Sequence, residues 1–302
     1  MNEKKSKKIV VLATGGTIAG WANHAEEPQH YKAGQVSAAD LLAGIDWDGY
    51  DVVTEQVAQV DSKDMSFPIW QRLLRRLTHW LALDDVQGVV ITHGTDTVEE
   101  TAYFLSVVLP HTKPIALTCA MLPANASDAD GPGNLREALA WVASDGASGV
   151  TLVCAGHVHL GHAVQKTHSQ LRNPFSSQVL PATESSFQTP SVAQLLSVTA
   201  WPRVTLIHNH SGADGRDVRA MMAQDPPDGF VVAGTGNGTV HQDLEAALMD
   251  AQQQGTYVLR ASRCTWGGVQ TRAGDIFPHA RTLSAAKARI ALILHLLSLS
   301  QA

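Results

Sequence analysis

GVVITHGTDTVEET, residues Gly88–Thr101, changes character halfway along. Gly88–Thr92 is apolar and rich in β-branched residues, as a strand covered on both faces requires. Thr92-His93-Gly94-Thr95-Asp96-Thr97 is then a polar knot. Thr97 and Glu100 spell the Thr-x-x-Glu capping box of a helix running through Val108, with Pro110 just past its end. In open α/β sheets ligands bind outside the carboxyl ends of the strands, so hydroxyls and a carboxylate at such an end point to a site. IVVLATGGTIAG (Ile9–Gly20) repeats the arrangement with Thr14, Gly15, Gly16 and Thr17.

The same alternation extends in both directions. Val52–Val60 reads as a second strand. A helix follows, with Ile69, Trp70, Leu73, Leu74, Leu77 and Leu81 on one face and Arg72, Arg75 and Arg76 between them. Strands are expected at Ile115–Cys119 and Val150–Ala155, with a helix at Asn134–Ala143 between them. Residues 181–202, where Ser, Thr, Gln and Pro dominate, read as a linker. Beyond it lie strands Arg203–His208, Phe230–Ala233 and Tyr257–Ala261, and helices Val218–Ala223, Gln242–Gln253 and Ala285–Leu297. The expected fold class is α/β. A larger N-terminal parallel-sheet domain (1–180), Rossmann- or flavodoxin-like, precedes a smaller C-terminal α/β domain (203–302).

Composition narrows the partners. The 302 residues are 44% apolar and 17% charged, with a net charge of −6. That balance gives no electrostatic reason to expect nucleic acid or an anionic membrane surface. The basic run Lys4-Lys5-Ser6-Lys7-Lys8 reads as a solvated leader. The apolar run behind it breaks at Gly15-Gly16, too soon for a secretory signal, and no stretch approaches the ~20 apolar residues of a membrane span. Cytoplasmic residence is the expectation. Cys119, Cys154 and Cys264 are widely spaced beside apolar segments and read as buried, reduced thiols.

Three strand ends can converge on one crevice carrying Thr17, Ser62, Thr95 and Asp96. A threonine hydroxyl is a weak nucleophile near neutral pH and needs a neighbouring base. A lysine in a dry site can serve as one. Asp96, at a helix start, stays ionised near the helix dipole and suits an ammonium group. The residues alone reach a polar site at the sheet edge and no further. Thr beside Gly is also ordinary turn chemistry, and a Gly-Gly loop after a strand can equally cradle phosphate.

Longer segments carry more. ATGGTIAG (Ala13–Gly20) and ITHGTDTVEETAYFL (Ile91–Leu105) resemble the two signature segments of the bacterial-type L-asparaginase family. HYKAGQVS resembles that family's tyrosine-bearing lid segment, EQVAQVDSKDMS its substrate-serine segment, and QKTHS its lysine segment. AMLPANASDADGPGNLREAL and GFVVAGTGNGTV extend the similarity to nearly the whole chain. The resemblance implies a two-domain α/β enzyme that hydrolyses L-asparagine, and in some members L-glutamine, without metal or organic cofactor. It implies Thr17 as nucleophile with Tyr31 as its activating neighbour, and Thr95, Asp96 and Lys166 as a second catalytic group. Gly16, Ser62, Lys63, Thr95 and Asp96 would contact substrate, with Ser62 and Asp96 holding the α-carboxylate and α-ammonium. It further implies self-association, as a dimer or homotetramer whose active site lies between one subunit's large domain and a partner's small one.

Two departures stand out. Lys63 follows Ser62 where many relatives carry a neutral residue. If turned inward it would add positive charge near the substrate carboxylate; turned outward, it is a solvated lysine. After Arg263 the chain lacks the glutamate that several secreted members place near the lid tyrosine, so Asp275 or Gln270 substitutes, or nothing does. Thr239 stands where some relatives carry asparagine. The competing readings are weaker. GHVHLGH gathers His157, His159 and His162 but no cysteine beside them, so these read as surface or satisfied histidines rather than a metal site. GTGNG lacks the full GxGxxG spacing of a nucleotide loop. A catalytically dead amino-acid-binding protein would be free to lose Thr17 or Lys166, and both are present.

Overall fold

Ile9-Val10-Val11-Leu12 is completely buried, because its strand, Lys7–Gly15, has a parallel neighbour on each side. The computed structural model describes residues 6–27, 29–45, 47, 49–177 and 187–300. By its internal contacts the chain divides into Met1–Gln178 and Val179–Ala302.

The first unit is built on a six-stranded sheet. Its spatial order is Tyr50–Val60, Lys7–Gly15, Val86–Thr92, Ile115–Thr118, Val150–Cys154 and His157–Leu160. All neighbours are parallel except the last, which returns antiparallel along the edge. In chain order the parallel strands run second, first, third, fourth, fifth, which is the flavodoxin-like order. The direction of progression reverses between Lys7–Gly15 and Val86–Thr92, and such a switch point is where ligands bind. The helix Gly131–Ala143 sets Leu135, Ala138, Leu139 and Val142 against Ile9, Val11, Val90 and Ala116. The helix Phe67–Leu81 buries Ile69, Trp70, Leu73, Leu74 and Leu77 of the expected stripe and leaves Leu81 half-buried, with Trp70 stacked on Phe104 at 4.6 Å between centroids. Truncating one of these buried leucines to alanine would cost about 2–5 kcal/mol.

The second unit carries four parallel strands in order Val204–His208, Gly229–Gly234, Tyr257–Ser262 and His279–Ser284. Phe230 and Val232 pack with Val218, Leu244 and Leu248 from the helices Arg216–Gln224 and Gln242–Gln253. Gly229, one residue off in the alternation, faces Leu292 of the helix Ala285–Leu299. Helices therefore cover both faces of this sheet. The α/β class and the smaller second parallel sheet are as the alternating pattern predicts.

Several local expectations change. Of the 181–202 stretch, 181–186 lies outside the described residues. Further along, Val192–Ser197 is a helix rather than linker, closed by a capping box between Ser191 and Gln194 and anchored by the buried Leu195. The helix Val98–Val108 begins where predicted, yet the Thr97 hydroxyl does not cap it; it donates to the Ser62 carbonyl at 2.7 Å. Of the basic run, Lys4 and Lys5 lie outside the described residues. Lys7 and Lys8 are strand residues rather than leader, and Lys8 pairs with Asp85 at 2.8 Å. Cys119 and Cys154 are buried and free, but Cys264 is exposed, because it sits in the turn after Tyr257–Ser262 rather than in the strand. Two short antiparallel hairpins had no periodic signal: Trp21–Ala22 with Tyr31–Lys32, and Val164–Lys166 with Phe175–Ser177.

Candidate active site

Three neighbouring strands end together, and their loops interlock through glycine. A Cβ on Gly16 would lie 2.3 Å from the Gly94 backbone, and one on Gly94 would lie 2.5 Å from the Ser62 hydroxyl. The loops after Lys7–Gly15, Tyr50–Val60 and Val86–Thr92 thus touch at Gly16, Ser62 and Gly94. The next residues along the first and third loops are Thr17 and Thr95. The Gly16 N–H is already donated to the Val60 carbonyl at 2.8 Å. That N–H is committed within the loops, and what Gly16 supplies here is the close approach to the Gly94 backbone.

Each threonine has its own partner, delivered by one of the hairpins. The Thr17 hydroxyl lies 2.7 Å from the Tyr31 hydroxyl. Gly20 makes room for the Tyr31 ring, since a Cβ there would meet it at 2.7 Å. Thr17 is buried, whereas Tyr31 is 37% exposed. Across the switch point the Lys166 ammonium donates to the Thr95 hydroxyl at 2.8 Å and to Asp96 Oδ1 at 2.6 Å. The Lys166 side chain is 17% exposed and that of Asp96 58%. The Glu99 carboxylate accepts the Lys166 backbone N–H. Ser62 is buried, and its hydroxyl accepts the Asp96 N–H at 3.2 Å, which leaves its own proton free to donate.

Beneath these groups runs a buried chain that the sequence reading missed. The Trp70 indole N–H donates to the Thr101 hydroxyl at 2.9 Å, and that hydroxyl lies 2.9 Å from His93 Nε2. His93 Nδ1 lies 2.8 Å from the Gly94 carbonyl. A carbonyl only accepts, so Nδ1 carries the proton and Nε2 accepts from Thr101. Burial lowers the His93 pKa to about 4, against a smaller upward pull from the Gly94 carbonyl. A neutral imidazole therefore fixes the peptide between Gly94 and Thr95. Nothing in the sequence set His93 apart from a surface histidine.

Lys63 is not part of this group. Its ammonium turns outward to Asp61 at 2.8 Å and Asp64 at 3.2 Å, and its side chain is 63% exposed. Those two carboxylates raise its pKa. Asp275 is engaged by Arg260 at 2.7 Å, and hydrogen bonds with Arg272 and Arg260 lower its pKa. Gln270 bonds Asn237 through its backbone N–H and carbonyl, and lies exposed. Thr239 closes a small turn with Thr235, hydroxyl to hydroxyl at 2.9 Å. His157 and His159 share a face of the edge strand. The His157 ring donates to the Ala155 carbonyl and the His159 ring bonds Ser177. Among the described residues no three His, Cys, Asp or Glu side chains are grouped as a metal would need.

Residues 8–193 match the family model described as asparaginase, N-terminal, and residues 203–300 the glutaminase/asparaginase C-terminal domain. L-asparaginase 2 of Escherichia coli (strain K12) is 34% identical over 314 residues, covering 95% of this chain and 88% of that protein. The glutaminase-asparaginase of Pseudomonas fluorescens biotype A is 33% identical over 292 residues, covering 90% and 80%. Among solved structures, a probable cytoplasmic L-asparaginase from Campylobacter jejuni superposes with a TM-score of 0.86 at 31% identity, covering 98% of this chain and 96% of that one.

Proposed function

The chain belongs to the asparaginase family, and on that premise we propose that it hydrolyses the side-chain amide of L-asparagine to L-aspartate and ammonia. The observation that carries this reading is the pairing of two threonine hydroxyls with two different partners at one switch point. In the proposed reaction the Thr17 oxygen attacks the amide carbon, and Tyr31 takes part in moving the hydroxyl proton. The C–N bond breaks, ammonia leaves with that proton, and water cleaves the acyl-enzyme to restore Thr17. Lys166 and Thr95 supply the second proton-handling pair.

Binding follows from the same contacts. Lys166 holds Asp96 Oδ1, which leaves Oδ2 on an exposed carboxylate for a substrate α-ammonium. Ser62 has a proton to give the α-carboxylate. Neither step calls on a metal or an organic cofactor. Asparagine and glutamine differ by one methylene, worth about 1–3 kcal/mol in a fitted site, so a mixed glutaminase-asparaginase is the second reading. The Pseudomonas relative favours it. Self-association as a dimer or tetramer belongs to this reading, as does cytoplasmic residence, in line with the Campylobacter relative. Among the described residues no helix is long and apolar enough to cross a membrane.

The test is ammonia release from L-asparagine and L-glutamine, with Thr17→Ala as control. Saturable release from asparagine that disappears in the variant is the expected result. No release from either amide, with aspartate still bound in calorimetry, would replace the enzyme by a binding protein.

A further inference from the structure

Lys166 is held at both ends by one short stretch of chain. Its ammonium reaches Thr95 and Asp96, while its backbone N–H is taken by Glu99, three residues beyond Asp96 in the first turn of the helix Val98–Val108. Glu99 is 9% exposed, so the carboxylate that makes this contact lies nearly out of water. A side-chain acceptor on the backbone of an edge hairpin is not needed to pair the strands, since Val164–Lys166 already pairs with Phe175–Ser177. The helix and the segment leading to Lys166 meet again at Gly161, where a Cβ would lie 2.5 Å from the Ser106 hydroxyl. One contact at Lys166 itself and one five residues earlier thus hold this segment against the helix that follows Thr95 and Asp96. A lysine has a flexible four-carbon stem, so where its root sits decides where its ammonium can rest.

We propose that Glu99 is a positioning residue for the reaction: by gripping the Lys166 backbone N–H it sets the reach of the Lys166 ammonium onto Thr95. This rests on the amidase reading above. The reach of the grip depends on the length of the Glu99 side chain more than on its charge, because a neutral amide oxygen accepts a hydrogen bond from the same N–H. Glu99→Gln keeps the reach and loses the charge. Glu99→Asp keeps the charge and withdraws the acceptor by one methylene.

The experiment measures kcat and KM for ammonia release from L-asparagine with both variants, each alone and in a Lys166→Ala background. The expected result is that Glu99→Gln exceeds Glu99→Asp in kcat by about tenfold or more, with KM differing by less than about threefold, as misplacement of a catalytic group predicts. In the Lys166→Ala background Glu99→Asp should cause no further loss, because Glu99 acts on turnover only through the placement of the Lys166 ammonium, which is then gone. Equal kcat for the two variants, or Glu99→Asp above Glu99→Gln, would overturn the role. So would an undiminished loss in the Lys166→Ala background, which would mark Glu99 as merely structural. An inactive parent chain would overturn the amidase reading, and this role with it; an active parent with the wrong order of variants would overturn this role alone.

Discussion

Replacing Gly16 with alanine tests whether the switch point is organised by backbone contact. Gly16 has φ 80° and ψ −172°, a region essentially reserved for glycine. Holding alanine there costs about 1–3 kcal/mol. The added Cβ would also lie 2.3 Å from Gly94 Cα and N and 2.8 Å from the His93 carbonyl carbon. Backbone cannot swing aside as a flexible side chain can, and Gly94 is pinned by the His93 hydrogen bond. Overpacking of that kind adds about 1–3 kcal/mol, for a total of about 2–6 kcal/mol. Gly44 is the control. It has φ +78°, and a Cβ added there would meet nothing within 4 Å among the described residues, so Gly44→Ala bears the backbone term alone. Thermal unfolding of both variants reads the difference. Gly16→Ala should lower Tm by at least about 4 °C and by clearly more than Gly44→Ala. Displacing Gly94 by even part of an ångström also moves Thr95 and the Ser62 hydroxyl, so kcat for ammonia release should fall by about tenfold or more. A Gly16→Ala protein that melts and turns over like the parent would refute the claim that these loops are locked through Gly16 and Gly94.

Two further outcomes follow from the side chains. Lys63→Gln should leave KM for asparagine unchanged across the pH range of activity, because the ammonium is committed to Asp61 and Asp64 on the outside; a pH-dependent rise in KM would put that charge near the substrate. His93 should make stability fall with acid. Its pKa is about 4 when folded against an ordinary 6.5, so between those values the unfolded chain binds the extra proton. The stabilisation is complete above about 6.5 and is lost as pH falls toward about 4, amounting to about 3 kcal/mol. Urea midpoints of parent and His93→Gln at neutral and acid pH should show a flatter dependence in the variant. Equal slopes would mean that His93 does not titrate in this range.

The sequence by itself determined the layers and the place of the candidate site. Uninterrupted apolar runs such as Ile9–Ala13 and Gly88–Thr92 state that both faces of a strand are covered, and the 3.6-residue spacing of Ile69–Leu77 states which face of its helix is buried. Those are local signals, written in neighbouring residues. Only the tertiary structure decided which groups meet. Lys166 reaches Thr95 across 71 residues and His93 finds Trp70 across two hydrogen bonds, and neither contact leaves a period in the chain. The hairpins bearing Tyr31 and Lys166 are two and three residues per strand, too short for any alternation to register. The orientation of Lys63 depended on Asp61 and Asp64 outcompeting the crevice for its ammonium, and the Thr97 hydroxyl left its own helix because the Ser62 carbonyl was in reach. Periodicity reports burial, which each residue experiences singly; a site is a set of distances between residues far apart in the chain, and packing alone fixes those.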